Sequence, residues 1–291
     1  MAIQTSQIFE GEIEELSAAD LADLGRAVTA LEHNSFIAKV GSLVGSQINL
    51  IGRFVPARFS KIAYGAANAA LQAALHTAIR DLRRAPMVVD RAGDEARLQK
   101  RKTRLKRMAV ASGVAGGAFG FTALAVELPV STTLMLKAIA EIARHEGEDL
   151  TQPEALLACI EVFALGDKAR AEASNAMLES SYFAVRSMLA GSVGEAAGFL
   201  ARKGAINESA PALVRFLSQI SARFGIVVGE KFAAQMVPLV GAAAGGSLNY
   251  AFADHYQRLA HGHFTVRRLE RKYGRLMVQE AYERLAKKVK P

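Results

Sequence analysis

Apolar residues recur at intervals of three and four along most of the chain, and no convincing stretch alternates between apolar and polar residues. The clearest run is formed by Leu213, Phe216, Leu217 and Ile220. These intervals match the period of an α-helix and not the two-residue period of a strand. Alanine, the residue with the highest helix propensity, supplies much of the apolar content. We therefore predict an all-α protein folded as a single multi-helix bundle.

Glycine pairs spaced four residues apart predict how closely the helices pack. Six such pairs occur, Gly41/Gly45, Gly113/Gly117, Gly116/Gly120, Gly194/Gly198, Gly225/Gly229 and Gly241/Gly245. Glycine inside a helix costs roughly 0.5–1 kcal/mol relative to alanine, so its repeated use needs a compensating gain. In a GxxxG pattern that gain is the close approach of two helix backbones, in a membrane or in a soluble core. We predict Gly/Ala-rich central helices that pack through GxxxG contacts.

Capping and turn residues suggest where individual helices begin and end. Ser17 and Asp20 are spaced as the cap of a first helix, and Thr151-Gln-Pro-Glu154 has the form of a capping box. Near the end of the chain, we predict two amphipathic helices at 264–273 and 275–289. His261-Gly-His263 is interpreted as a polar turn that precedes them.

Positive charge is concentrated in a few parts of the chain, whose net charge is +8 at pH 7. Residues 97–107 contain seven bases and no acid, and a further excess lies in 267–290. Such blocks suit anionic lipid head groups or nucleic acid, or form solvated helix faces. Nucleic acid is the less suitable partner, because the runs lack interleaved aromatic residues and any known binding motif. The candidate membrane-contact residues are Lys100, Arg101, Lys102, Arg104, Lys106 and Arg107.

Two long segments, 108–126 and 232–253, contain no charged residue. Each is just long enough to span a bilayer. Both are rich in alanine and glycine and not in leucine, and the second contains Gln235, Pro238 and Asn249. We therefore expect burial in a bundle that docks on a membrane, with insertion as the alternative.

A buried polar site is predicted where proline interrupts these segments. Glu127 precedes Leu128-Pro129, and a carboxylate between apolar helical turns is strongly desolvated unless a cation pairs with it. Lys231 and Lys137 are the available partners. The candidate ligand-binding residues are Glu127, Thr132, Lys231 and Asn249. The other interpretation is a structural ion pair that fixes the packing of the helices.

Metal, nucleotide and nucleophile chemistry find little support. Glu141 and His145 lie one helical turn apart, and a second group contains Asp254, His255, His261 and His263. Neither HExxH nor a repeated Glu-x-x-His occurs, so we predict no metal site and no cofactor. GxSxG, GxGxxG and P-loop motifs are also missing from the sequence. The single cysteine, Cys159, lies on an apolar helix face and is predicted to be buried and structural.

Two segments carry a resemblance to a known family. One, residues 113–150, contains Glu127-Leu128-Pro129 followed by Thr132-Thr133, and the other, 231–253, contains Pro238, Gly241 and Asn249. Both resemble the EcsC family, over roughly 97–273. The resemblance implies a bacterial helical protein, in a family named after a gene beside those of an ABC exporter, but it implies no settled activity. We expect 1–90 to form N-terminal helices and 91–291 the EcsC-like core, as parts of one continuous domain.

Two functional hypotheses follow. The leading one is a non-enzymatic, membrane-peripheral protein that binds lipid, an apolar ligand or a membrane partner such as an ABC transporter, with a link to envelope maintenance or export. The alternative is a hydrolase-type enzyme with Glu127 as general base. The first 25 residues contain no Lys or Arg, so no signal peptide is expected. Together with the single cysteine and the resemblance, this predicts a cytoplasmic location, peripheral to the inner membrane.

Overall fold

The computed structural model describes residues 16–32, 36, 57–82, 95–118, 124–165, 181–203, 210–235 and 241–289. Of these residues 93% are helical and none lies in a strand, which confirms the all-α prediction. The α-helices in the described ranges are α1 Ala18–Glu32, α2 Ala57–Leu82, α3 Glu95–Ala118, α4 Leu124–His145, α5 Pro153–Glu161, α6 Ser181–Lys203, α7 Pro211–Gln235, α8 Gly241–Tyr273 and α9 Arg275–Val289. A 3-10 turn, Val162–Ala164, follows α5.

Helix α8 lies at the centre of the bundle and packs against α3, α1 and α4. Helix α2 packs against α7 and α4, and α3 packs against α4. A group of aromatic rings fills the middle, with centroids 4.9–5.9 Å apart. These rings belong to Phe163, Phe224, Phe252 and Tyr256. The boundary expected near residue 90 lies outside the described residues.

The two predicted helix caps have different outcomes. The backbone N–H of Asp20 donates to Ser17 Oγ at 3.2 Å, which confirms the cap of α1. The capping box at Thr151 is wrong, because Gln152 is the N-cap of α5 and makes no side-chain cap bond. Thr151 Oγ1 instead donates to Asp149 Oδ1 at 2.7 Å. A nearby carboxylate in the preceding turn has therefore taken the hydroxyl that would have capped the helix.

The C-terminal helices confirm one predicted boundary and correct another. Gly274, with φ of +83°, separates α8 from α9, as the predicted break between 273 and 275 requires. The polar turn predicted at 261–263 is wrong, because these residues lie inside α8. A Cβ placed on Gly262 would lie 2.8 Å from Leu31 Cγ. This glycine therefore allows α8 to cross α1 closely and does not form a turn.

GxxxG packing is not confirmed as a general feature of the helices. Gly225 does lie against α2, since a Cβ there would be 3.1 Å from Tyr64 Cα. Gly194, in contrast, has no neighbouring atom within 4 Å of its Cβ position. Gly41, Gly45 and Gly120 fall outside the described residues. The spacing by itself therefore does not identify a helix contact.

The described residues of the two charge-free segments belong to four helices. Those of the first lie at the end of α3 and the start of α4, and those of the second at the end of α7 and in α8. Within the part of the chain that the structure describes, one stretch, Pro211–Phe232, is long and apolar enough to cross a membrane, with a mean hydropathy of 1.3. Inside the bundle 56% of that window is buried, and core helices of soluble proteins meet the same criterion.

Candidate functional site

Glu127 and Lys231 form a buried ion pair between the first turn of α4 and α7. Lys231 Nζ donates to Glu127 Oε1 at 2.6 Å, and the side chains are 0% and 2% exposed. The helix break predicted at Pro129 is wrong, because α4 continues through this residue to His145. Pro129 lies close to the start of α4, where the missing N–H removes a single intrahelical bond. Glu127 therefore lies on a helix that continues past the proline.

The ion pair is buried next to an aromatic ring. Burial lowers the pKa of Lys231 from its usual 10.5, and the charge of Glu127 opposes this shift. The ammonium also lies 5.0 Å from the centroid of the Phe252 ring, a distance at which a cation is attracted to an aromatic face. Among the described residues, the second carboxylate oxygen of Glu127 has no hydrogen-bond partner. The pair thus links α4, α7 and α8 at a point closed to solvent.

The other two predicted site residues are buried, but the structure does not join them to the pair. Asn249 Nδ2 donates to the carbonyl of Ala109 at 2.8 Å and so connects α8 to α3. In the described part of the chain, Asn249 Oδ1 and Thr132 Oγ1 lack hydrogen-bond partners. The four residues predicted as one site therefore form one ion pair, one interhelical amide and one buried hydroxyl.

The basic block of α3 has two faces. Lys100, Arg101, Arg104 and Arg107 are exposed. Lys102 and Lys106 are half-buried and face α8, where Lys106 Nζ donates to Asp254 Oδ1 at 2.9 Å and Lys102 contacts His261. Burial and the charge of Lys102 lower the pKa of His261 to about 3. Two of the six predicted membrane-contact residues are therefore part of the helix packing.

A pocket of about 530 Å³ lies between α2, α3 and α4, and sequence reasoning did not find it. Its charged lining comprises four cations and one carboxylate, Arg101, Arg104, Lys137, Arg144 and Glu141. Its remaining lining residues are Ala74, Ala78, Leu105, Met108, Thr133, Leu134, Leu136 and Ala140. We call this cavity the α3–α4 pocket. It combines an excess of positive charge with apolar walls.

The ends of the α3–α4 pocket differ in polarity. Glu141 accepts hydrogen bonds from Arg101 Nη1 at 2.7 Å and from Arg144 Nη1 at 3.2 Å. Arg101 is near the start of α3, and Glu141, which it contacts, is near the end of α4. The two helices therefore form an antiparallel hairpin. The charged pairs therefore mark one end of the pocket, and Met108 and Leu134 lie toward the other. The helical spacing of Lys137, Glu141 and Arg144 is the signal that could have revealed one wall.

Cysteine and histidine chemistry gains no support from the geometry. Cys159 is buried, as predicted, and burial raises the pKa of its thiol. Among the described residues, no three His, Cys, Asp or Glu side chains are grouped as metal ligands. His263 is buried with its Nδ1 3.0 Å from the Tyr182 hydroxyl, and burial together with nearby arginines lowers its pKa.

The fold and these sites define an all-helical protein with a closed ion pair and a basic, partly apolar pocket. The model of the EcsC protein family matches residues 21–269, and the chain belongs to that family. Searches of curated proteins and of solved structures give no match.

Proposed function

We propose that this chain is a non-enzymatic, membrane-peripheral protein that docks on an anionic membrane through the exposed side of the α3–α4 hairpin. The observation that carries the proposal is that a series of exposed bases on α3 is followed, further along the same helix, by exposed apolar side chains. The bases are Arg97, Lys100, Arg101, Arg104 and Arg107. Met108 and Val114 follow them, with 46% and 45% of their surface exposed. We call this set the docking face.

The start of α4 adds apolar surface beside the docking face. Val126 is 70% exposed and Val130 is 44% exposed. Both lie near the start of α4, at the end of the hairpin at which α3 finishes. Single exposed apolar residues are common, but a group of them next to a basic row is typical of a membrane interface.

Electrostatic attraction between these bases and anionic lipid supports this orientation. An exposed Lys or Arg near an anionic membrane contributes about 1 kcal/mol, and the attraction falls off within a Debye length of about 8 Å at physiological salt. The bases would therefore draw the hairpin to the surface, after which the apolar end enters the head-group region. Such docking suits a cytoplasmic location at the inner membrane. A transporter of the ABC type is a partner that this location would allow.

Vesicle sedimentation tests the proposal. Wild-type protein should bind vesicles of phosphatidylglycerol and phosphatidylcholine, and binding should fall as salt rises. The variant Arg97→Gln/Lys100→Gln/Arg107→Gln should lose most of the binding, since it removes exposed charges that are not in the pocket lining. The matched control, Arg284→Gln/Lys287→Gln/Lys288→Gln on α9, removes the same charge from another exposed face and should bind normally. A wild type that ignores anionic vesicles would refute docking, and one that resists both salt and carbonate would favour insertion.

The alternative function, a hydrolase with Glu127 as general base, has less support. A general base must come within hydrogen-bond distance of its substrate. Glu127 Oε1 accepts from Lys231, and Glu127 is not among the residues that line the α3–α4 pocket.

A further inference from the structure

We infer that the α3–α4 pocket binds a single amphiphile with an anionic head group and one acyl chain. The head group would lie against Arg104, Lys137 and Arg144, with the chain along Leu105 and Leu134. The inference rests on the proposed function for its source of ligand, because a membrane-docked protein would take such a molecule from the bilayer.

The charge of the pocket lining favours an anionic head group. The lining contains four cations and one carboxylate, so it carries net positive charge. Glu141 is shared by Arg101 and Arg144, which holds both guanidinium groups at the charged end of the pocket. A carboxylate or phosphate offers several acceptor oxygens, and arginine binds such groups through two parallel hydrogen bonds. Lys137, one turn before Glu141 on the same helix, supplies a point charge beside this end.

The length and the apolar end of the pocket favour an acyl chain. The lining of α4 extends from Thr133 to Arg144, about 16 Å at 1.5 Å per residue. The cavity volume of about 530 Å³ falls in the range of pockets that enclose small ligands, roughly 300–1,000 Å³. Because the helices are antiparallel, Met108 of α3 and Leu134 of α4 lie at the same end of the pocket, away from Glu141. The pocket thus has the same charged-to-apolar order as an amphiphile.

Two other ligand classes fit less well. A nucleotide would present a base, yet none of the described lining residues is aromatic, so there is no ring on which a base could stack. A small anion such as inorganic phosphate would leave the apolar end unused. An acyl chain with an anionic head uses both ends.

Calorimetric titration of the full chain without vesicles tests the inference. Laurate and lauryl phosphate are added below their critical micelle concentrations, beside inorganic phosphate and dodecyltrimethylammonium. We expect one molecule of laurate or lauryl phosphate per chain, at least 10-fold tighter than either of the other two probes. The tighter of the two would show whether the natural head group is a carboxylate or a phosphate. Equal binding of the cationic probe, or of phosphate without a chain, would overturn the inference.

Variants separate the pocket from the docking face. Lys137→Gln should weaken laurate and lauryl phosphate about 10-fold or more, since each loses a hydrogen bond to a charged group. Arg104→Gln, at an exposed position, does the same if Lys137→Gln folds poorly. The control Arg107→Gln, exposed and outside the lining, should weaken vesicle binding and leave the amphiphile affinity unchanged. Equal affinity of Lys137→Gln, Arg104→Gln and wild type would overturn the inference.

The two proposals fail in different ways. Vesicle binding without binding of soluble amphiphiles would refute the pocket and keep the docking. Amphiphile binding without vesicle binding would refute the docking and keep the pocket.

Discussion

The Glu127–Lys231 pair allows a test of whether this part of the molecule is architecture or a site. Lys231→Met leaves a carboxylate that is only 2% exposed, with its 2.6 Å partner removed. Its other oxygen already lacks a hydrogen-bond partner among the described residues. Removing one member of a buried pair costs roughly 3–5 kcal/mol, because the remaining charge is left uncompensated. We expect Lys231→Met to lower the free energy of unfolding by about this amount.

Glu127→Gln removes the other charge and keeps the shape of the side chain. Its amide oxygen can still accept from Lys231 Nζ, so we expect a smaller loss, about 1–3 kcal/mol. The double variant removes both charges and leaves none to be desolvated, and such replacements of buried pairs are often close to neutral. It should therefore be more stable than the sum of the two single losses predicts, by about 0.5–3 kcal/mol.

The pH dependence of Glu127→Gln gives a second measurement. Burial lowers the pKa of Lys231 below 10.5, and this variant lacks the carboxylate that opposes the shift. Between the lowered pKa of the folded state and 10.5, the unfolded chain binds a proton that the native lysine has released. Stability of Glu127→Gln should therefore rise with pH through this window, and more steeply than that of the wild type.

Urea denaturation followed by circular dichroism measures the free energy of unfolding of the wild type, the two single variants and the double variant. Lys100→Met, at an exposed lysine of α3, serves as control, and its free energy of unfolding should change by no more than about 0.5 kcal/mol. Additivity of the two single changes within about 0.5 kcal/mol would refute the coupling argued from the structure. A Glu127→Gln protein that is as stable as the wild type, yet fails to complement a deletion of the gene, would show that Glu127 serves a ligand or a reaction.

Two further predictions concern helix packing and acid stability. Gly225→Ala should lower the free energy of unfolding by about 1–3 kcal/mol, since the added methyl meets the α2 backbone at 3.1 Å. Gly194→Ala, with no atom within 4 Å of the added methyl, should raise it by about 0.5–1 kcal/mol. Equal effects of the two variants would show that the spacing is irrelevant to packing. Hydrogen bonds from Lys272 and Tyr273 lower the pKa of Asp20 below 3.8. The stability that Asp20 contributes is therefore present above about pH 4 and lost below it. The melting temperatures of the wild type and Asp20→Asn should converge as the pH is lowered. A difference in melting temperature that stays constant down to about pH 3 would contradict this.

Local pattern was enough to predict the all-α class and several individual features of this fold. The run from Leu213 to Ile220 is buried on one face of α7, as its helical spacing predicts. Ser17 caps α1, and Gly274 ends α8. These features depend on residues within one or two turns of each other, so their physical causes are present in the sequence itself.

The errors in the prediction lie where a neighbouring helix or turn changed the outcome. Gly262 resembled a turn residue, but Leu31 of α1 lies against it and α8 continues through it. Lys102 and Lys106 resembled parts of one exposed basic block, but α8 covers them. For the ion pair, the residue types limited Glu127 to Lys231 or Lys137, and the tertiary structure places Lys231 of α7 against it.

The sequence alone therefore determined that this chain is helical, that it belongs with the EcsC proteins, and that its positive charge is concentrated on α3. Tertiary structure alone decided which of those charges face solvent, and it brought Lys137 and Arg144 opposite Arg101 and Arg104 to form a pocket. The physical reason is the range of the interactions. Helix formation and capping depend on near neighbours, whereas a pocket and a buried pair depend on residues that only the packing of separate helices brings into contact.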